Sequence, residues 1–233
     1  MPRDRKRSEV VWGLKEPSGF GKFFLEGDYV GWQERLTQYY LEEMSDEEKA
    51  NYNKNDVPDY IFQVACRFTM DRGPLKPHEC PTEFQVQFNR AKSFGSLVKL
   101  TSKLLTVDEA LKTIIETLDP GVHQFWPIEI KLPRGKPFPR QFYGLRIGRF
   151  LDSFSPEASS FSSFREEFGM YYVDQPTKEF YAGLVMRSEI IGTSNLWREK
   201  KLKQPEICFS DRLKEAADTA GLRLPKHYKM EEV

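Results

Sequence analysis

The 233-residue sequence has few of the residues on which catalytic and metal sites depend. It contains three histidines and three cysteines, and the cysteines are far apart, at Cys66, Cys80 and Cys208. Secreted proteins of this size usually carry an even set of paired cysteines, so we expect free thiols, no disulfide and a cytoplasmic location. No apolar run reaches the roughly 18 residues that a membrane-spanning helix needs, and none follows the charged N-terminus as it would in a signal peptide.

Familiar catalytic motifs are absent as well. The sequence has no Gly-x-Ser-x-Gly of serine hydrolases and no phosphate-binding Gly-x-x-x-x-Gly-Lys-Ser/Thr. His78, Glu79 and Cys80 are adjacent, but three neighbours in a loop cannot easily surround one tetrahedral zinc ion. The sequence therefore predicts no catalytic residues, no metal and no cofactor. An enzyme whose site is dispersed along the chain is the alternative that motifs cannot reveal.

The sequence also has no net charge, because 35 lysines and arginines balance 35 aspartates and glutamates. The charges are unevenly spread, however. Residues 26–59 contain ten acidic and three basic residues, a net charge of −7, whereas residues 131–149 contain six basic residues and no acidic one, a net charge of +6. Two opposed fields of this kind can steer a charged partner.

Helices are predicted where apolar residues recur at helical intervals after a capping residue. They cover 29–43 after Asp28, a short stretch after Ser45, 107–118 after Thr106 and 211–220 after Ser210. Strands are predicted where β-branched and aromatic residues cluster or alternate with polar ones. They cover 10–12, 21–25, 60–68, 84–88, 122–132, 142–150, 180–190 and 207–209. Strands outnumber helices without regular alternation, which is typical of an α+β fold with a mixed or antiparallel sheet and flanking helices.

The domain organisation is predicted from changes in composition along the chain. Residues 1–9 are expected to form a flexible tail. The less regular stretch around 93–106 suggests a boundary between an N-terminal lobe of residues 10–100 and a C-terminal lobe of residues 101–233, both in one compact body. The side chains expected in the core are Leu111, Ile114, Ile115, Phe125 or Trp126, Leu145 and Ile147.

One segment carries a family resemblance. Residues 118–128, with the sequence LDPGVHQFWPI, resemble the "PGVHQFFPV" segment of a family of bacterial immunity proteins from polymorphic-toxin systems. Weaker matches follow in order at 142–152, 195–198 and 207–211, so the resemblance covers roughly residues 100–224. Trp126 stands where that family has a second phenylalanine, and the stretch 133–139 departs from the pattern.

The resemblance implies a function in competition between bacteria. The protein would bind a cognate toxin, such as a type VI or contact-dependent effector, in the cytoplasm and neutralise it by occluding its active site. It would have no enzymatic activity, no cofactor and no membrane partner, and the sequence gives no support for a homo-oligomer. The alternative is a nucleic-acid-binding module that uses the basic, aromatic stretch 131–150, although a neutral protein does not favour that partner.

Two sets of residues are candidates for the functional site. Toxins that attack nucleic acids usually have basic clefts, so the acidic stretch 26–59 is our candidate toxin-binding surface. Its central acidic residues are Glu42, Glu43, Asp46, Glu47 and Glu48. The residues that carry the resemblance are expected to be structural, because an aromatic strand after a Pro-Gly turn explains them as well as a binding site does. They are Pro120, Gly121, His123, Gln124, Phe125, Trp126, Pro127, Trp197 and Arg198.

Overall fold

A computed structural model describes residues 10–52, 56–87, 93–160, 165–167, 169–172, 177–203 and 206–233. The fold is α+β, as predicted, and its two larger sheets are mixed. The helices are α1 (Trp32–Gln38), α2 (Asp46–Lys49), α3 (Val57–Cys66), α4 (Glu109–Leu118), α5 (Lys178–Ala182), α6 (Ser188–Ile191) and α7 (Asp211–Thr219). A π-helical turn, Tyr39–Glu43, continues α1, and short 3₁₀ turns lie at Pro77–Glu79, Thr101–Lys103 and Pro133–Gly135.

The strands within the described residues are mostly short. They are β1 (Val11–Leu14), β2 (Gly27–Tyr29), β3 (Glu83–Val86), β4 (Leu97–Lys99), β5 (Leu105–Asp108), β6 (Gln124–Lys131), β7 (Phe142–Arg146), β8 (Phe150–Leu151), β9 (Arg165–Glu167), β10 (Met170–Tyr172), β11 (Val185–Met186), β12 (Leu196–Glu199), β13 (Ile207–Ser210) and β14 (His227–Glu232). No helix in the described part of the chain combines the length and apolar character needed to cross a membrane.

The chain divides into two compact units, each built from segments that are distant in sequence. The central unit consists of Ser18–Lys112 and His123–Gly148. The terminal unit consists of Met1–Pro17, Thr113–Val122 and Arg149–Val233. These units differ from the predicted lobes, because β1 pairs with β13 and β14 and because β6 and β7 join the strands that precede α4. The predicted tail, residues 1–9, lies outside the described residues.

The central unit contains a six-stranded sheet in the order β2-β3-β6-β7-β5-β4. Strand β6 lies inside this sheet, parallel to β3 and antiparallel to β7. Helices α1 and α3 contribute large side chains to the core, among them the fully buried Trp32, Leu36 and Tyr60. Of the expected core residues in this unit, Leu111, Trp126, Leu145 and Ile147 are buried and Phe125 is partly exposed.

The terminal unit contains a six-stranded sheet in the order β11-β14-β1-β13-β12-β8. Strand β1 lies between β13 and β14 and is antiparallel to both. The core of this unit includes the fully buried Phe154, Tyr181 and Trp197. Ile115 is buried, whereas Ile114 is only partly so. The short pair β9 and β10 forms a separate two-stranded sheet.

Three predicted strands are wrong. Residues 60–68 lie largely in α3, because Asp56 accepts a hydrogen bond from the Asp59 amide at 2.8 Å and Pro58 occupies the first turn, both of which favour helix initiation. The stretch 180–190 forms parts of α5 and α6 with only β11 between them. Residues 21–25 form two isolated bridges, Gly21 with Phe24 and Phe24 with Lys99, instead of a strand.

Two predicted helix caps also require correction, although the helices exist. Asp28 lies in β2, and α1 instead follows Gly31, which has a left-handed φ of 66°. Thr106 lies in β5, and the carboxylate of Asp108 accepts from the Leu111 amide at 3.0 Å at the start of α4. The Ser45 capping box and the Ser210 cap of α7 are confirmed. Of the strand predicted over 84–88, residue 88 lies outside the described residues.

Candidate functional site

The acidic face, which we define as Glu42, Glu43, Asp46, Glu47 and Glu48, lies on the π-helical turn and the following α2. The Met44 amide donates to the Tyr39 carbonyl at 2.9 Å, five residues back, which closes the π turn. Tyr40 and Met44 are buried, each 6% exposed, so the backbone between them is anchored in the core. The acidic side chains are consequently held at the surface, where all but the partly exposed Glu48 are well exposed.

Glu48 differs from the other four members of the acidic face. Its amide donates to the Ser45 hydroxyl at 3.2 Å, and its carboxylate accepts from the Ser45 amide at 3.3 Å. Lys76 Nζ lies 3.0 Å from Glu48 Oε1, and this hydrogen-bonded ion pair lowers the pKa of Glu48. Within the described residues the other four carboxylates form no ion pair. Glu48 therefore shapes the acidic face, and the others supply its outward charge.

Lys76 belongs to a segment, the 75–81 loop, that packs beneath the acidic face. From α1, Trp32 Nε1 donates to the Glu79 carbonyl at 2.7 Å, and Arg35 donates to the carbonyls of His78 and Cys80 at 3.0 and 2.6 Å. The Glu79 carboxylate is 1% exposed and pairs with Arg67 at 2.6 Å. Such a dense set of bonds fixes the backbone of a loop as firmly as a regular element.

His78 joins this loop to the π turn. Its ring stacks on that of Tyr39, with 3.7 Å between the ring centroids, and its Nε2 lies 3.1 Å from the Tyr60 hydroxyl. Burial disfavours the charged imidazolium and lowers the pKa of His78, although the carboxylates of Glu79 and, to a smaller extent, Glu43 act in the opposite direction. The Tyr39 side chain is thereby held at the start of the turn that carries Glu42 and Glu43.

The adjacent His78, Glu79 and Cys80 have different partners and do not converge. Cys80 is buried, which raises the pKa of its thiol to about 11. No group of three or more histidines, cysteines, aspartates and glutamates in the described residues is arranged to hold a metal ion. Cys66, Cys80 and Cys208 are free thiols.

The resemblance residues of the central unit reach the 75–81 loop. Gln124 forms two hydrogen bonds with the Leu75 backbone, accepting from its amide at 2.9 Å and donating to its carbonyl at 2.8 Å. Trp126 Nε1 donates to the Pro81 carbonyl at 2.8 Å, and its indole covers Gly144, where an added Cβ would lie 2.3 Å from the ring. The two side chains thus hold opposite ends of the loop.

Other resemblance residues of β6 and the preceding turn contact different parts of the central unit. His123 Nδ1 accepts from the Gly148 amide at 3.2 Å, which joins the start of β6 to the end of β7. Phe125 is partly buried and Pro127 is exposed.

In the terminal unit, a second cluster joins three separated segments of the resemblance. Gly121 turns the chain with a φ of 70°, two residues after the buried Asp119. The Asp119 carboxylate accepts from the amides of Asn195 and Leu196 at 3.1 and 2.9 Å, and Arg149 lies 3.5 Å from it. The neighbouring Pro120 is exposed, whereas Trp197 and Arg198 of β12 are buried, and Arg198 pairs with Glu206. These contacts indicate a structural role.

The basic stretch 131–149 keeps little free charge. Lys131 pairs with Glu83 at 2.7 Å and Arg140 with Asp108 at 2.8 Å. Arg149 pairs with Asp119, and the buried Arg146 donates to the Arg67 carbonyl at 3.1 Å. In the part of the chain that the structure describes, Arg134 and Lys136 are the members of this stretch that are exposed without an ion pair.

The aromatic residues of the basic stretch all have partners within the central unit. Phe142 is fully buried, and Phe138 stacks on the buried Phe94 with 4.3 Å between centroids. Tyr143 donates to the Glu109 carboxylate and lies beneath Lys112. This geometry gives the nucleic-acid alternative little support.

The packing of the 75–81 loop against the acidic face was not predicted from the sequence. It contains prolines and polar residues, as expected for a loop, and its partners come from α1, α3 and β6. The only signal in the sequence is the succession of Lys76, His78 and Glu79 between prolines, which does not identify their partners.

Comparison with protein families gives one result. The model of the immunity protein family Imm11 matches residues 35–232, which is most of the chain. The match begins well before the resemblance recognised over roughly residues 100–224, so it includes the acidic face and the 75–81 loop. A comparison with curated proteins found no match.

Proposed function

Because the chain belongs to the Imm11 immunity protein family, which implies a toxin-neutralising function, we propose that it binds a cognate bacterial toxin through the acidic face and occludes the toxin's active site. The toxin would be an effector delivered between competing bacteria by a type VI or contact-dependent system. The encounter would take place in the cytoplasm of the protected cell. Inhibition by binding requires neither a catalytic residue nor a cofactor in the immunity protein.

The observation that carries this proposal is the contrast between exposed acids and paired bases. Glu42, Glu43, Asp46 and Glu47 are exposed and form no ion pair within the described residues. Their charges therefore sum to a negative field directed at solvent, which accelerates association with a basic cleft and rejects partners of the same sign. A basic cleft is the usual surface of a toxin that acts on nucleic acids or nucleotides.

Charge reversal tests the proposed surface. The triple variant Glu42→Lys, Glu43→Lys, Glu47→Lys should slow association with the cognate toxin by about 10- to 100-fold, because electrostatic steering contributes factors of that size. A matched control reverses Glu189, Glu215 and Glu231, which are exposed acids of the terminal unit. The control makes the same change in net charge and should retain protection in a growth assay.

The outcomes of this experiment are distinct. Loss of protection by the first variant alone, with unchanged thermal stability, supports the acidic face. Equal loss by both variants means that net charge matters and the location does not. Full protection by the first variant refutes the acidic face as the toxin-binding surface.

A further inference from the structure

The 75–81 loop contacts two sets of residues that nothing in the sequence connects. They are the acidic face and the β6 residues Gln124 and Trp126. We propose that this loop is the positioning element of the acidic face, and that Gln124 and Trp126 control toxin binding through it without touching the toxin. The inference rests on the proposed function of the acidic face. It assigns a functional consequence to two resemblance residues that were expected to be only structural.

The first step is the anchorage of the loop on β6. Gln124 and Trp126 are two residues apart on one strand, so their side chains project from the same face of the sheet. Gln124 holds the Leu75 backbone by two bonds, and Trp126 holds the Pro81 carbonyl by one. Both residues lie in the part of β6 that pairs with β7, where Gln124 is opposite Arg146 and Trp126 is opposite Gly144, so one strand of the sheet supports both ends of the loop.

The second step is the stiffness of the loop between those ends. The buried Glu79 carboxylate accepts from Arg67 at 2.6 Å and from the Lys76 amide at 2.8 Å. Trp32 and Arg35 bind three successive carbonyls, those of residues 78–80. With its interior bonded in this way, the loop responds to a displaced end as one body.

The third step is the contact with the acidic face. Lys76 pairs with Glu48 at 3.0 Å, and the His78 ring stacks on Tyr39. Tyr39 begins the π turn that carries Glu42 and Glu43, and Glu48 ends the acidic face. The loop therefore holds the face at both of its ends. The electrostatic field of the acidic face acts at long range however its side chains are arranged. Binding in the cleft of the toxin also requires those side chains to be in fixed positions, because fixed positions lower the entropic cost of binding.

Histidine NMR can report movement of the loop, because the chain has only three histidines. The stacked Tyr39 ring shifts the His78 ring-proton resonances, which a His78→Gln variant identifies. The variant Gln124→Ala removes both bonds to Leu75, so the His78 signals should move toward their unstacked positions. Its affinity for the purified cognate toxin should fall about tenfold, because an acidic face that is no longer held in place has to be ordered when the toxin binds.

A half-buried glutamine on another strand of the same sheet provides the matched control. Gln85 of β3 donates to the Leu132 carbonyl at 2.8 Å and so also bonds a backbone outside its own strand. Gln85→Ala should leave the His78 signals and the affinity unchanged.

A second test variant, Trp126→Phe, retains an aromatic ring over Gly144 and removes only the bond to Pro81, so it keeps the core filled. It should produce the same changes with smaller amplitude.

The inference is supported if Gln124→Ala and Trp126→Phe shift the His78 signals and weaken binding while Gln85→Ala does neither. Unmoved His78 signals in both test variants, or a loss of affinity no greater than that of the control, would overturn it. The charge-reversed triple variant separates the two proposals. If that variant binds normally and Gln124→Ala also binds normally despite shifted His78 signals, the acidic face is the wrong surface, although the loop does couple to it.

Discussion

The acidic stretch 26–59 and the basic stretch 131–149 have nearly equal and opposite charges in the sequence, −7 and +6, but they use those charges differently. Four carboxylates of the acidic face are exposed and form no ion pair within the described residues. In the basic stretch, Lys131, Arg140 and Arg149 pair with carboxylates, and Arg146 is buried against a backbone carbonyl.

This contrast shows that formal charge does not indicate which stretch faces a partner. A charge paired within the fold contributes to structure and is largely cancelled at a distance, whereas an unpaired exposed charge contributes mostly to the external field. The basic residues occupy strands and their connections, where partners from neighbouring segments are close. The acidic residues occupy a surface turn and a one-turn helix, where Glu48 is the member of the acidic face that forms an ion pair within the described residues.

The largest expected effect comes from breaking an ion pair of the basic stretch. Asp108 is 3% exposed, binds Arg140 and caps α4 through the Leu111 amide. Asp108→Ala should lower the free energy of unfolding by about 2–4 kcal/mol, because a cap is lost and Arg140 loses its carboxylate. Urea denaturation measures this change. Glu47→Ala on the acidic face should stay within about 0.5 kcal/mol of the unmodified protein, and similar losses in both variants would contradict the contrast.

A smaller effect is expected for binding to single-stranded RNA. Each neutralised phosphate contributes about −0.7 to the slope of log K against log salt, so the two free bases Arg134 and Lys136 predict a slope of about −1.4 at most. Six available bases would give about −4. Fluorescence anisotropy with a labelled oligonucleotide over a salt series distinguishes the two values. A slope near the larger value would revive the nucleic-acid alternative.

The smallest expected effect is a change in the pKa of His78. Burial lowers its pKa below the ordinary value of 6.5, so the folded protein binds this proton less readily than the unfolded chain does. The stability contributed by neutral His78 is therefore present above pH 6.5 and decreases as the pH falls through that value toward the lowered pKa. Because Glu43 raises the pKa, Glu43→Gln should lower it further in an NMR titration. An increase would show that the acidic face does not act on this ring.

Elements whose determinants lie within a few residues could be predicted from the sequence. The apolar stripe of α4, the Ser45 capping box and the Ser210 cap of α7 are all local patterns. The strand predicted over 60–68 is wrong because the β-forming side chains of this segment were given more weight than Asp56 and Pro58, which start α3. The alternation expected of a strand was absent there, and the buried Tyr60 and Val64 are four residues apart.

The candidate site was only partly predictable, for a physical reason. The acidic residues stand out in the sequence because like charges cluster there. The 75–81 loop depends on partners up to 49 residues away, such as Gln124 on Leu75, and no local pattern encodes such a pairing. Likewise, the neutralisation of Arg140 by Asp108 joins residues 32 positions apart. The charge counts alone therefore do not show that most bases of the stretch 131–149 are paired within the fold and most carboxylates of the acidic face are not.

The π turn has a consequence for angular phase around the helix axis. Trp32, Leu36, Tyr40 and Met44 are all buried, at regular intervals of four residues. In a continuous α-helix each such step advances about 40° beyond a full turn, so three steps would rotate the last side chain about 120° away from the first. The wider π turn subtracts from this drift and returns Met44 to the core. The same rotation about the helix axis sets the direction of the neighbouring Glu42 and Glu43 side chains. The π turn therefore links the packing of Met44 to the orientation of these two carboxylates.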